Sequence, residues 1–149
     1  MSLQTKVMDA LKEAMKAKDT IALESLRAIK SAILLAKTEA GAAAELAEEE
    51  ELKLLQKLVK QRKDSAALYA QQGRNDLAEP ELAQVTVIEK FLPKQLSEAE
   101  VTEAVKAIIA EVGATSAKDM GKVMGVATKQ LAGKTDGKVI SAIVKTLLA

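Results

Sequence analysis

The chain has 149 residues, a net charge of +1 and 48% apolar residues, and its only aromatic residues are Tyr69 and Phe91. This length is enough for one ordinary domain or two small ones. The absence of cysteine and histidine excludes disulfides, thiol nucleophiles, Cys/His zinc sites and the histidine base of Ser–His triads. A net charge so close to zero points to no class of partner.

The composition predicts an all-α fold, and periodicity with helix stop signals predicts seven helices, four before and three after a break near Pro93. Leu, Ile, Val, Met and Ala supply the core, and two prolines and seven glycines leave few helix breaks. The first helix is predicted at about 3–16, with Leu3, Val7, Leu11 and Met15 on one face.

The second helix is predicted at about 20–40, with Gly41 as a left-handed cap. The third is predicted at about 45–72, where five glutamates in residues 45–51 suit the positive end of the helix dipole. The fourth, about 76–92, contains Pro80, so it either begins near Glu79–Pro80 or is distorted there.

The segment "FLPKQLSEAE" marks the predicted domain boundary. Pro93 stops a helix, and Ser97 with Glu100 forms a capping box that begins the next one. We therefore predict a helical domain over 1–95 and a module over 96–149.

Three helices are predicted in this module, at about 98–112, 117–132 and 137–148. Gly113 and Gly133 are their expected C-terminal stops, and Ser116 and Asp136 their expected N-caps.

Three Gly-Lys pairs in "KDMGKVMGVATKQLAGKTDGKVI" suggest a phosphate loop, but the pattern fails. The loop needs G-x-x-x-x-G-K-[ST] after a strand. Gly133-Lys134-Thr135 supplies its end, whereas Thr128 stands where the first glycine is required, and no strand is predicted.

The same stretch predicts a basic helix face. At about 100° per residue, one side of the sixth helix carries Lys118, Gly121, Lys122, Gly125 and Lys129. Lys138 and Lys145 share the polar side of the last helix, and the helix starts near Ser116 and Asp136 are expected to offer free N–H groups to anions. Such a face lets another backbone approach closely; the alternative is a solvated lysine face whose glycines serve helix–helix packing.

Basic residues also fall on apolar faces of the N-terminal half. Lys30 lies within the apolar face of the second helix, Arg27 at its margin and Arg62 near the centre of the third. We expect these cations to be buried or paired, because an unpaired buried charge is costly. Interhelical ion pairing is one interpretation, and a basic pocket for a polyanion or acidic partner is the other.

An ordered set of motifs resembles the YqeY-like family: "LRAIKSAI", "KQRKDSAALY", "GRNDLA", "IEKFLPKQLSEAEV", "DMGKVMG" and "GKTDGKVISAIVK". That family is similar to the tail of the B subunit of glutamine-dependent tRNA amidotransferases. The resemblance implies a helical bundle followed by a module that contacts the outer corner of tRNA, while the chemistry happens elsewhere.

The resemblance also points to particular residues of this chain, which occupy the positions of the family motifs. In the second half these are Met120, Gly121, Lys122, Asp136, Gly137, Lys138 and Lys145, and in the first half they are Arg27, Lys30, Arg62 and Lys63. The chain lacks the large catalytic domain of the B subunit and the Ser-Ser-Lys signature of the amidase partner. A carbon–nitrogen ligase label would therefore be inherited from the relative.

Three functions follow as hypotheses. The first is a non-catalytic tRNA-binding module, with no catalytic residue, metal or cofactor of its own, acting alone or beside an amidotransferase or aminoacyl-tRNA synthetase subunit. The second is a helical adaptor that binds such a protein without RNA contact. The third is a self-sufficient enzyme, for which no side-chain set has motif-like spacing. The expected setting is cytoplasmic, without DNA or membrane partners.

Overall fold

The computed structural model of the chain describes residues 2–41 and 45–149. These residues contain seven α-helices and a short 3₁₀ turn and no strand, which confirms the all-α prediction. The chain divides into two compact units, Met1–Leu92 and Pro93–Ala149. Among the described residues, no helix combines the length and the apolar character that crossing a bilayer requires.

The first unit contains four helices: α1 (Leu3–Ala17), α2 (Thr20–Ala40), α3 (Glu48–Gln71) and α4 (Asn75–Glu89). α1 packs on α2, α3 packs on α4, and α2 also contacts both α3 and α4. The residues buried between them are aliphatic, as the composition predicts: Leu3, Val7, Leu11, Ala14, Leu26, Ile29, Ile33, Leu55, Val59, Val85 and Ile88.

The prediction that Met15 lies on the core face of α1 is wrong. Met15 is 60% exposed, and Ala14, at 6%, is buried in its place. Each four-residue step advances about 40° around a helix, so Met15 lies about 120° from Leu3, whereas Ala14 lies only about 20° from it.

Helix ends in the first unit differ from the predicted ones. α3 begins at Glu48 rather than residue 45. Gly41 has a positive φ of 99° but a ψ of 128°, outside the left-handed helical region. α3 ends in a Schellman-type turn, in which Gly73 has φ 73° and the Arg74 N–H donates to the Tyr69 carbonyl at 2.8 Å.

α4 begins at Asn75 and ends at Glu89, three residues before the predicted end. The helix continues through Pro80, so the expectation that it begins near Glu79–Pro80 is wrong. Packing against α3 and α2 holds this segment helical despite the proline.

The second unit contains α5 (Glu98–Val112), the 3₁₀ turn (Ala117–Asp119), α6 (Met120–Gln130) and α7 (Gly137–Leu148). The three helices share one aliphatic core of Val101, Val105, Ile108, Val123, Ala127, Leu131, Ile140, Ile143, Val144 and Leu148. The predicted capping box at Ser97 and Glu100 is confirmed, with both reciprocal hydrogen bonds made. Gly113 ends α5 in the left-handed conformation, and Asp136 caps α7.

The start of α6 differs from the prediction. Ser116 is extended but makes no side-chain cap bond. The turn is held instead by Asp119, whose Oδ2 accepts the Thr115 N–H at 3.0 Å. Because this turn is 3₁₀, the α-helix proper begins at Met120, and it ends at Gln130 rather than residue 132.

Candidate nucleic-acid interface

Two glycines inside α6 lie on its exposed side. Gly121 and Gly125 are both exposed, and a Cβ atom built at either position would have no neighbour within 4 Å. The interpretation in which these glycines allow helices of the second unit to pack closely is therefore wrong. Each glycine weakens the helix by up to about 1 kcal/mol relative to alanine. No contact with the described residues offsets that cost.

Exposed lysines lie on the 3₁₀ turn, on the glycine-bearing side of α6 and on α7. Five of them are exposed, and none makes an ion pair with a carboxylate within the described part of the chain: Lys118, Lys122, Lys129, Lys138 and Lys145. The opposite side of α6 is apolar, with Val123 and Ala127 fully buried. Together with Gly121, Gly125 and Gly137, the five lysines form what we call the glycine–lysine face.

Few acidic residues counter this charge. From Gly113 to the C-terminus there are six lysines and two aspartates. Both aspartates bond backbone donors, Asp119 the Thr115 N–H and Asp136 the Lys138 N–H, each at 3.0 Å. The unit's other acids lie in α5, at Glu98, Glu100, Glu103 and Glu111. Charge is thus segregated between α5 and the two helices that follow it.

The start of α7 is less open to an anion than the sequence suggests. The Asp136 carboxylate accepts the Lys138 N–H, and the Asp136 carbonyl accepts those of Val139 and Ile140. The expected free donors at this end are therefore largely occupied. Gly137 itself is exposed, with open space at its Cβ position.

The loop between α6 and α7 is tied to the chain before α5. Gln95 Nε2 donates to the Gly133 carbonyl at 2.7 Å, and the Leu96 N–H donates to the Lys134 carbonyl at 2.9 Å. Gly133 has φ 74° and is buried. These contacts hold the segment between the lysine-bearing helices in place.

Two of the three basic residues expected to be buried or paired are neither. Arg27 and Lys30 are exposed on α2, and neither has an ion-pair partner among residues 2–41 and 45–149. The reason is that neighbouring helices cover a narrower stripe of α2 than its apolar face suggests. Leu34, an apolar residue of the same helix, is also exposed.

Arg62 is half-buried and bonded, as expected. Its Nε donates to Gln84 Oε1 at 2.8 Å and its guanidinium also donates to the Leu58 carbonyl at 3.1 Å. Gln84 Nε2 in turn donates to Glu24 Oε2 at 3.2 Å, so the amide connects the cation to a carboxylate on α2. Lys63 pairs with Glu89 at 3.4 Å. Gln84 and Glu24 carried no local sequence signal for these roles.

Within the described ranges, no three acidic side chains come together in a way that could hold a metal ion. The arrangement with a chemical consequence in the second unit is the glycine–lysine face. Unpaired cations beside bare backbone can contact phosphate groups.

The molecule is therefore an all-helical protein of two units, the second of which segregates its charge around a three-helix core. The chain belongs to the Yqey-like protein family, whose model matches residues 4–148. It is 35% identical over 123 residues to altered inheritance of mitochondria protein 41, mitochondrial, of Clavispora lusitaniae, a match that covers 81% of this chain and 69% of that protein. Because that protein's name refers to mitochondria, the cytoplasmic setting of this chain stays a prediction.

Proposed function

We propose that this protein is a non-catalytic RNA-binding module that contacts the sugar–phosphate backbone of tRNA through its glycine–lysine face. The observation that carries the proposal is the open space at Gly121 and Gly125, one turn apart between unpaired lysines. A glycine inside a helix lowers stability, and no contact with the described residues of the chain compensates for it. Close approach of an external backbone accounts for both glycines together.

The chemistry of the face favours phosphate as the ligand. Lysine side chains extend several ångströms and end in compact positive charges. Because glycine has no side chain, a phosphodiester backbone can lie close along the helix at these positions. The second unit contains no Phe, Tyr or Trp, so base stacking cannot contribute at this face. Binding through it depends on shape and charge, and hence strongly on salt.

Under this proposal the protein holds RNA and any chemistry on that RNA belongs to a partner. An amidotransferase-type enzyme or an aminoacyl-tRNA synthetase subunit is the class of partner we propose. A carbon–nitrogen ligase label then describes the assembly rather than this chain. The two compact units correspond to separate roles, with RNA contact assigned to residues 93–149.

The test is a variant with Lys118, Lys122, Lys129 and Lys138 changed to glutamine. We expect loss of binding to total tRNA at low salt in fluorescence anisotropy, with helicity and melting unchanged, because these side chains are exposed and unpaired. The matched control removes the same charge from the first unit, at Lys6, Lys12, Lys57 and Lys60, which are equally exposed. Normal binding by the first variant, or equal loss in both, contradicts the assignment and leaves the protein adaptor as the leading hypothesis.

A further inference from the structure

A groove between α1 and α2 has an apolar floor and a basic rim. Its lining residues are Gln4, Val7, Lys30, Ile33, Leu34 and Lys37. Val7 and Ile33 belong to the core of the first unit, so the floor of the groove is continuous with a rigid packed interior. No acidic residue lines it.

One of the residues that line this groove is an exposed leucine. Leu34 is 66% exposed and Leu35, the next residue, is 61% exposed. Burying apolar surface stabilises a protein by about 25 cal/mol per Å². A partner that covers Leu34 in the groove therefore gains from burying apolar surface.

The cations on this side of α2 are available for a partner. Arg27, Lys30, Leu34 and Lys37 follow each other at helical spacing along one side of α2, where the first three are exposed and Lys37 is half-buried. Lys37 Nζ donates to the neutral Gln4 Oε1 at 2.7 Å. Arg27 and Lys30 make no ion pair in the part of the chain that the structure describes, although that part contains all 21 acidic residues.

We propose that this groove docks an acidic amphipathic helix of a partner protein. A leucine-like side chain of that helix enters against Val7, Ile33 and Leu34. Carboxylates on the same helix meet Lys30 and Lys37, which line the groove, and Arg27, which precedes Lys30 by one helical step along α2. An amphipathic helix that lays apolar anchors into a groove while charges fix its orientation is a recurrent mode of recognition.

Other occupants match the groove less well. A phosphate backbone has no apolar group for the Val7–Ile33–Leu34 floor, and a lipid surface is flat where this site is concave. The docking site lies within the first unit and is independent of the RNA contact proposed for the second. Each proposal can therefore fail without the other.

The first test is selection of peptides from a displayed random library on the full-length native protein. We expect the enriched peptides to be acidic and rich in leucine or similar residues at helical spacing. Their synthetic forms should bind at least about tenfold more weakly to Leu34→Ser, which removes the apolar contact, and to Arg27→Glu/Lys30→Glu, which reverses the rim charge. All three side chains are exposed, so the variants should fold.

Matched controls are Leu82→Ser, at an exposed leucine of α4, and Lys57→Glu/Lys60→Glu, at exposed lysines of α3. Both should bind the selected peptides normally. Enriched peptides without acidic residues, or equal binding to variants and controls, would contradict the proposal. Two further results would overturn the proposal. Binding to phosphatidylglycerol vesicles that is lost in Leu34→Ser would assign the site to lipid. A dimer in sedimentation velocity that Leu34→Ser dissociates would assign the site to a second copy of this chain.

Discussion

Gly121 and Gly125 lie one turn apart on the exposed side of α6, and at neither would a Cβ have a neighbour within 4 Å beyond its adjoining residues and the local helix backbone. The fold of the second unit therefore does not require them. Alanine at both sites would favour the helix without disturbing the core beneath it. Substitution of these two glycines can therefore distinguish an effect on folding from an effect on binding.

Replacing both residues, Gly121→Ala/Gly125→Ala, should raise the free energy of unfolding by roughly 1–2 kcal/mol. The same variant should bind tRNA more weakly, because two methyl groups would hold the phosphate backbone away from the helix. Urea denaturation and anisotropy titration on one preparation measure both effects. A more stable protein with undiminished affinity would show that the glycines do not serve RNA contact.

Arg62→Ala should lower the free energy of unfolding by about 1–2 kcal/mol. The substitution removes the Gln84 and Leu58 hydrogen bonds and the packing of the aliphatic stem. Lys60→Ala, at an exposed position of the same helix, is the control and should change stability by less than about 0.5 kcal/mol.

A double-mutant cycle tests the hydrogen bond itself. Arg62→Ala and Gln84→Ala should be non-additive, because the two side chains are joined at 2.8 Å. Additive effects in chemical denaturation would mean that this bond contributes nothing to stability.

Pro80→Ala should stabilise the protein by roughly 1–3 kcal/mol. Proline inside α4 has no N–H to donate to the Asp76 carbonyl one turn earlier, and alanine restores that donor. Glu79→Ala, one residue earlier on the exposed surface, controls for helix propensity alone. Thermal melting measures the difference, and a variant no more stable than the control would contradict this account of Pro80.

The capping box at the start of α5 should make stability depend on pH. The hydrogen bond from the Ser97 backbone N–H holds the pKa of Glu100 below its ordinary value of 4.5. A carboxyl group whose pKa is lowered by folding stabilises the folded state above its unfolded pKa and loses that effect as pH falls through its folded pKa. Wild type should therefore exceed Glu100→Gln in stability at neutral pH, and the difference should vanish in acid.

Denaturation of both proteins between neutral pH and about pH 2 measures this difference. If the gap between them is constant over that range, the Glu100 carboxylate is not the titrating group.

Local signals in the sequence located most of the secondary structure. The Ser97–Glu100 box, Gly113 and Asp136 each determine a helix end through neighbours only a few residues away, so their effects were predictable. The exposed side of α6 was predictable for the same reason, since a helix places Gly121, Gly125 and the lysines by spacing alone.

What the sequence did not reveal depends on contacts between distant residues. Lys30 was expected within an apolar face and Arg27 at its margin, but the neighbouring helices leave both side chains exposed. Arg62 meets Gln84 from 22 residues away, and Gln84 meets Glu24 from 60. Helical spacing places a residue on a face but does not say which part of that face another helix covers.

The central claim is that the glycine–lysine face binds the phosphate backbone of tRNA, and titration of the intact protein into total tRNA at about 50 mM and about 200 mM salt tests it most directly. With about four phosphate contacts, affinity should fall by very roughly 10²-fold across that range. Binding with that slope, and its loss in the four-lysine variant, is the result we predict. No binding at the lower salt concentration, or binding that salt leaves unchanged, would contradict the account.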